Sequence, residues 1–285
     1  MRIIDVKSII QPNNNFNLYR GCTHGCIYCD SRSVCYEVGE FENIAVKKDA
    51  LVLMEQELSR RRQRVMLTTG SMSDPYVHLE KELRLTEGAL KLIETYRFGI
   101  STLTKSDLIT RDLALYQAID KAYRAVVCLT ITTWDDDLAR VLEPQAALPS
   151  KRFQVLKTFS DAQITTGIWM TPILPFLEDT DENILGIVKR AAAAGVKFIV
   201  GFGIGTTMRE GSRDYFYQQL DRHFPGLRAK YEWTYGKKYI CPSPRQKELQ
   251  TLFETACNAH GIVTKHDEMS RFYLRRDQAE QLSLF

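Results

Sequence analysis

The sequence predicts an α/β protein folded as a partial (β/α)6 TIM-like barrel with a C-terminal helical and basic cap. Three observations carry that reading. Apolar runs of strand length alternate with amphipathic helical stretches, which is the pattern of βαβ units on a parallel sheet. Hydroxyl and charged residues recur where those strands end, and barrels of this kind keep their chemistry at the carboxyl ends of their strands. The chain has 285 residues, of which 44% are hydrophobic, enough for one barrel-sized core. Neither a repeat of about 20–50 residues nor a low-complexity linker divides it.

The elements follow in order. An apolar segment (Ile3, Ile4, Val6, Ile9, Ile10) and a polar turn at Pro12-Asn13-Asn14-Asn15 lead into a strand over 16–19. After a cysteine-bearing loop, Leu51, Met54 and Leu58 recur at helical spacing and predict a helix over 47–62. Strands are expected over 64–69, 98–103, 125–132, 163–171 and 196–203. Helices are expected over 83–96, 108–119, 150–160 and 181–194, the third capped by Ser150 and the last ended by Gly195. The barrel core is placed at 1–203, the cap at 204–275 and a projecting tail at 276–285. The rim formed by the strand ends then carries Ser71, Ser73 and Asp74, Thr104 and Lys105, Thr130 and Thr132, and Thr171. A Ser or Thr in such a place is commonly a helix N-cap, so the recurrence at one rim counts for more than any one of them.

The loop is Gly21-Cys22-Thr23-His24-Gly25-Cys26-Ile27-Tyr28-Cys29. Three thiolates at this spacing suit an iron–sulfur cluster, which takes one Cys per iron; with three, one iron stays open to another ligand. Gly21 and Gly25 allow the backbone to wrap closely around an inorganic core. Tyr28 offers a ring to cover the cluster or its ligand. A closed zinc site is the alternative, with His24 or Cys35 as fourth donor.

Net charge is +3, which does not by itself announce a nucleic-acid binder. There is no signal-like apolar start and no apolar run near about 18 residues, so a cytoplasmic protein with no membrane contact is expected. Seven cysteines in a reducing compartment read as cofactor ligands plus free thiols. Cys128 and Cys257 fall in apolar patterns and read as small buried hydrophobes.

Together these residues resemble a known group, the radical S-adenosylmethionine (SAM) proteins related to spore photoproduct lyase, or DNA-repair-photolyase-like proteins. The likeness rests on Tyr19-Arg20-Gly21 through Cys29, on Ser73-Asp74-Pro75-Tyr76 followed by Glu80, and on Thr104-Lys105-Ser106. It continues through Pro172-Ile173-Leu174-Pro175 and the stretch ending His223-Phe224-Pro225-Gly226. The resemblance implies a [4Fe-4S] cluster on Cys22, Cys26 and Cys29, and Ser73, Asp74, Lys105 and Thr130 or Thr132 around SAM. It also implies reductive cleavage of SAM to a 5′-deoxyadenosyl radical, an electron donor such as flavodoxin or ferredoxin, and repair of damaged or modified DNA. One position departs from the group. Spore photoproduct lyase has a hydrogen-donor cysteine where this chain has Ser71, and an O–H bond is too strong to take the thiol's part. Cys241 and Cys35 are the candidates to substitute. An RNA, peptide or small-molecule substrate stays open, as does a non-catalytic metal protein that binds nucleic acid.

Two features of the carboxyl third bear on substrate. Arg222, Arg228, Lys230, Lys237, Lys238, Arg245 and Lys247 interleave with Phe224, Tyr231, Trp233, Tyr235 and Tyr239, against Glu232 as the one acid between 222 and 247. Lys237, Lys238, Trp233 and Tyr235 suit a nucleic-acid backbone and unstacked bases; a cap with rings inward and charges outward suits the same pattern. The final residues, Gln281, Leu282, Ser283, Leu284 and Phe285, resemble the peptide with which bacterial replication and repair proteins bind the sliding clamp.

Overall fold

The structure is a computed structural model and describes residues 1–274. The expected tail, with Gln281, Leu282, Leu284 and Phe285, lies outside the described residues. Ahead of the first helix come β1 (Arg2–Ile4), β2 (Asn15–Phe16), β3 (Tyr19–Arg20) and β4 (Ala45–Lys47). The barrel then runs α1 (Ala50–Arg60), β5 (Met66–Thr69), α2 (Glu80–Leu83), α3 (Leu85–Thr95), β6 (Gly99–Thr104) and α4 (Leu113–Ala122). It continues through β7 (Ala125–Thr130), α5 (Asp136–Leu142), α6 (Pro149–Asp161), β8 (Thr165–Trp169), α7 (Asp181–Ala193) and β9 (Phe198–Val200). The carboxyl third holds β10 (Gly205–Thr207), α8 (Ser212–His223), α9 (Leu227–Tyr235), β11 (Ile240–Pro242), α10 (Gln246–Ala259) and α11 (His266–Met269).

Six strands form one parallel sheet in the order β2-β5-β6-β7-β8-β9, each beside its sequence neighbour. Those are the six expected strands, and the barrel stays open between β2 and β9. All six residues of β7 are buried, as a central parallel strand covered on both faces requires. Met54 and Leu58 of α1, Leu90 and Ile93 of α3, and Ile184, Ile187 and Val188 of α7 supply the outer layer of the same core. At each end of the sheet a single residue outside the strands is bridged to it: Ile10 to Phe16 and Val263 to Phe198. Among the described residues no helix is long and apolar enough to cross a membrane.

Three local expectations are corrected. The strand expected over 16–19 is two. After Phe16 the chain leaves the barrel and Tyr19–Arg20 joins a small sheet of order β1-β4-β3. Buried Tyr19 anchors that step, its hydroxyl donating to the carboxylate of buried Glu80. Second, Ser150 does not cap α6. Leu148 is the cap, with Pro149 opening the helix, while the Ser150 amide and hydroxyl bond Asp136 at the head of α5, at 3.0 and 2.6 Å. Third, the helix expected over 108–119 opens as a 3-10 turn, Asp107–Asp112, in which the Leu108 amide donates to Ser106 Oγ.

The carboxyl third folds over the rim. β10 and β11 pair antiparallel, setting Cys241 opposite Thr206. Behind them Leu220, Tyr231 and Tyr235 share one apolar cluster with Cys26, Ile27 and Tyr28 of the cysteine loop. The cap is therefore built onto that loop. α10 then packs back on α7.

Candidate active site

The cysteine loop is shaped by its glycines and pinned by the barrel. Gly21 sits at φ +89°, and a Cβ there would lie 2.4 Å from Phe41 O. The Cys22 amide donates to Phe41 O at 3.2 Å, and the Ile27 amide donates to Leu142 O at 2.9 Å. Ser73 Oγ donates to Gly21 O at 2.5 Å, so that hydroxyl ties the loop to the strand end. Held this way, Cys22, Cys26 and Cys29 line one recess of about 90 Å³, together with Ser73, Asp74 and Lys105. Through Cys29, Ser71, Lys105 and Thr130 the recess opens into a cavity of about 410 Å³ at the carboxyl ends of the strands. The rim expected from the sequence is the wall of these two spaces. Thr132 is the exception, being buried and lining neither.

Two charge networks flank the thiols. His24 Nδ1 lies 3.3 Å from Asp74 Oδ2. Asp74 also accepts from Thr104 Oγ1 at 2.6 Å and from the amides of Tyr76 and Lys105, each at 2.8 Å. Burial disfavours its ionisation, but the His24 charge and these bonds prevail and hold the Asp74 carboxyl at about 2. Burial likewise opposes a charged His24, and the Asp74 carboxylate outweighs it, raising the imidazole to about 10. The Cys22 thiol, also opposed by burial, is lowered by its hydrogen bond to His24. Burial pushes the Cys26 thiol up, and burial with the neighbouring Cys22 does the same to Cys29. A bound cation centre removes that penalty by taking thiolates as ligands.

The second network is centred on Glu143. Its carboxylate accepts from the Tyr28 hydroxyl and from Arg152 Nη2, and Lys105 Nζ stands 4.0 Å away. Arg152 also donates to Thr130 O at 2.8 Å and to Ala147 O at 2.7 Å. Tyr28 is thus fixed by its hydroxyl while its ring lines the larger cavity, with the Lys105 ammonium 5.7 Å from the ring centroid. The sequence reading did not single out Glu143 or Arg152. A signal was present: Arg152 shares a helical face with Val155, Leu156 and Phe159, all buried, and a cation in an apolar stripe asks for a buried anion.

The donors present fit a cluster and not a single metal ion. Cys35 is exposed and outside the recess, with Arg209 Nη1 donating to its sulfur at 3.4 Å, and His24 is engaged by Asp74. Among the described residues no group of three or more His, Cys, Asp or Glu side chains could hold one ion. Three thiols around a shared recess match an iron–sulfur cluster that keeps one iron open. Cys128 and Cys257 are buried in the apolar cores, as expected. Cys241 is buried in the wall of the larger cavity, and Ser71 lines both spaces.

The mouth of the larger cavity is apolar and exposed. Phe202 is 68% and Ile240 64% exposed, and both line the cavity; Phe202 stands edge-on to Trp169 with centroids 5.4 Å apart. On the adjoining cap Trp233 is 89% exposed, and Lys237, Lys238 and Tyr239 are exposed. Tyr235 is not at this surface. It is buried, its hydroxyl donating to Pro242 O at 2.6 Å, and Tyr231 is buried likewise with its hydroxyl on Pro175 O. Arg228 is paired with Asp221 and Glu232, and Arg245 with Asp181 and Glu248. The cap therefore turns Tyr231 and Tyr235 inward, and of the four residues expected to meet nucleic acid, Lys237, Lys238 and Trp233 face solvent.

Comparison with known proteins agrees with this geometry. The chain is 29% identical over 241 residues to an uncharacterized protein of Mycobacterium tuberculosis, covering 81% of this chain and 69% of that one. It is 34% identical over 175 residues to an uncharacterized protein of Methanocaldococcus jannaschii, covering 61% and 64%. Among solved structures, a spore photoproduct lyase variant with bound AdoMet and dinucleoside spore photoproduct superposes with a TM-score of 0.66 at 15% identity. That match covers 91% of this chain and 80% of the other. The model of the radical SAM superfamily matches residues 16–191. Proteins of this family use a [4Fe-4S] cluster and SAM, which together supply a one-electron cleavage of SAM to a radical. The chain belongs to the radical SAM superfamily.

Proposed function

We propose that this radical SAM enzyme acts on DNA, in the repair of a damaged or modified base. The observation that carries the reading is the cavity mouth. Phe202 and Ile240 are exposed where the cavity opens, and Trp233, Lys237 and Lys238 are exposed on the same carboxyl third that supplies Ile240. Apolar and aromatic surface beside free cations suits an unstacked base with its phosphates. The dinucleoside spore photoproduct held by the superposing lyase presents the base part of such a ligand. Cys22, Cys26 and Cys29 are assigned the cluster, Ser73, Asp74, Lys105 and Thr130 the surroundings of SAM, and Tyr28 the cover over them. With Ser71 in place of a thiol, photoproduct reversal by the lyase's own hydrogen donor is not assigned. Cys241 is the thiol placed to substitute, since it lines the cavity and Cys35 does not. We assign residues 1–203 to the barrel core and 204–275 to the cap, and the sliding clamp to the tail.

The test is anaerobic reconstitution followed by EPR of the dithionite-reduced protein, with and without SAM, and an assay of 5′-deoxyadenosine. A signal that SAM perturbs, lost in Cys26→Ala, is expected. DNA binding is read separately by fluorescence anisotropy against salt, where Lys237→Glu with Lys238→Glu should weaken binding and flatten its salt slope. Binding unchanged by those substitutions would remove the DNA reading and leave the radical chemistry standing. Deleting residues 281–285 should abolish binding to the clamp; retained binding refutes that assignment.

A further inference from the structure

The two ends of the barrel sheet differ in charge. β5, β6 and β7 run in parallel toward the cavity, where Gly70, Leu103 and Thr130 line it. At their starting end Arg60 closes α1, Arg62 and Arg64 precede β5, Arg97 precedes β6 and Lys121 precedes β7. All five are exposed. Met66 pairs with Gly99 and Ile100 with Ala125, while α1 packs on α3 and α3 on α4, so these side chains share one face. Among the described residues Arg60, Arg62, Arg97 and Lys121 make no ion pair. The Arg64 guanidinium lies 4.9 Å from the centroid of the buried Phe98 ring. Few acids stand near. Asp120 is buried, taken by Arg124 and by the Ala125 amide. Glu94 is half-buried, and Glu55 accepts from the Tyr96 hydroxyl. The excess at this one end is thus as large as the whole chain's +3.

Helix ends account for part of it, since the carboxyl terminus is the negative end of the dipole. Arg60 and Lys121 lie in the last turns of α1 and α4. Arg62, Arg64 and Arg97 lie beyond the caps at Arg61 and Tyr96 and need another reason. No exposed large apolar or aromatic side chain falls within 55–64, 94–97 or 120–124 except where chain 55–64 is already polar throughout its outer face. A protein partner needs apolar anchors at the centre of its interface, a membrane-surface helix needs an apolar face, and single-stranded bases need rings to stack on. A duplex needs none of these, because its phosphates face outward and its bases are already stacked. Guanidinium pairs a phosphate through two parallel hydrogen bonds, and four of the five cations are arginines. We propose that this face binds double-stranded nucleic acid by its phosphates, without reading sequence. It lies a strand's length, about 17–20 Å, from the cavity, so the duplex held here is not the segment that reaches the cavity. The inference rests on the charge of this face and is independent of what enters the cavity.

The test uses a short fluorescein-labelled DNA duplex and an RNA duplex of the same sequence, with anisotropy of the full-length reconstituted protein read against salt. Arg62→Glu with Arg97→Glu should weaken duplex binding about ten-fold or more at low salt. Arg62→Gln with Arg97→Gln should reduce the salt slope by about two, one for each lost phosphate contact. Circular dichroism and the SAM-perturbed EPR signal should stay as in the parent protein, which separates lost binding from lost folding. In a Lys237→Glu, Lys238→Glu background duplex binding should persist, and adding Arg62→Glu and Arg97→Glu should then remove it. Binding of the DNA duplex, the RNA duplex or both supports the proposal and names the source. Three results overturn it: duplex affinity unchanged in Arg62→Glu with Arg97→Glu, all duplex binding already lost in the Lys237→Glu, Lys238→Glu protein, or polyglutamate, single-stranded DNA or phosphatidylglycerol vesicles competing as well as the duplex in that background.

Discussion

Arg152→Met removes the cation at the centre of the Glu143 network and nothing that lines the cavity. Arg152 is 1% exposed and Glu143 3%. The guanidinium makes three kinds of bond at once, to the Glu143 carboxylate, to Thr130 O and to Ala147 O. Methionine fills much of the same volume and makes none of them. Glu143 is then left with the Tyr28 hydroxyl and with Lys105 at 4.0 Å. Breaking a buried ion pair from one side costs about 3–5 kcal/mol, because the remaining charge is uncompensated. That is a large part of the ~5–15 kcal/mol that holds a typical domain folded. Burial disfavours a charged Glu143, and Arg152 with Lys105 now holds it below the usual carboxylate range. In the variant that carboxyl rises, and stability falls most at high pH, where its charge is forced. The assay is urea unfolding of the cluster-free protein under nitrogen, followed by circular dichroism. Adding Glu143→Gln to Arg152→Met should return about half the loss, since the orphaned charge is gone. A cost below about 1 kcal/mol for Arg152→Met, or no recovery in the double variant, would refute the claim that the pair is a desolvated unit.

Other outcomes follow from the same geometry. Glu178 is buried, and burial raises its carboxyl to about 8 against hydrogen bonding from the Leu174 amide. The folded protein then keeps a proton that the unfolded chain releases near 4.5. That stability is present in full below 4.5 and is lost as pH rises through 8, at ~1.4 kcal/mol per unit. Glu178→Gln should flatten the urea midpoint over that window; an unchanged slope would sink the assignment. Gly70 lies at φ +100°, and a Cβ there would fall 1.9 Å from Leu103 O, in the wall shared by the recess and the cavity. Gly70→Ala should lower both the urea midpoint and the iron taken up on reconstitution, with strain of about 1–3 kcal/mol. Cys35→Ser should keep its full iron and sulfide content, whereas Cys22→Ser should lose most of it; a drop in Cys35→Ser would restore the four-donor site.

The barrel was legible because its signals are local. Six apolar runs of strand length, separated by helices with one apolar face, specify a parallel sheet without reference to anything distant. The thiol spacing and the recurrence of Ser73, Asp74, Lys105 and Thr130 at strand ends were legible for the same reason. What escaped was set by partners far apart in the chain. Asn17 and Leu18 break the first strand because Tyr19 is drawn to Glu80, sixty-one residues away. Ser150 loses its expected place as a cap to Asp136, and Tyr235 turns inward because Pro242 offers it an acceptor. Glu143 lies in a loop with no motif around it and gains meaning only when Arg152 and Tyr28 converge on it. The bond between Thr23 and His78 is of this kind too, since no spacing joins Thr23 to a histidine fifty-five residues on.

The bridges at Ile10 and Val263 have a bearing on how the protein survives at high concentration. An open parallel sheet presents two raw edges, and each is a template for a strand from another molecule. Here the Ile199 amide donates to Val263 O and the Val263 amide to Lys197 O, both at 3.0 Å, while Ile10 bridges Phe16 at the opposite end. Single residues thus occupy the hydrogen-bonding positions from which a runaway stack would grow. The segment at 263 is accordingly a stopper and not a trailing end, and shortening the chain past it would lay the β9 edge bare.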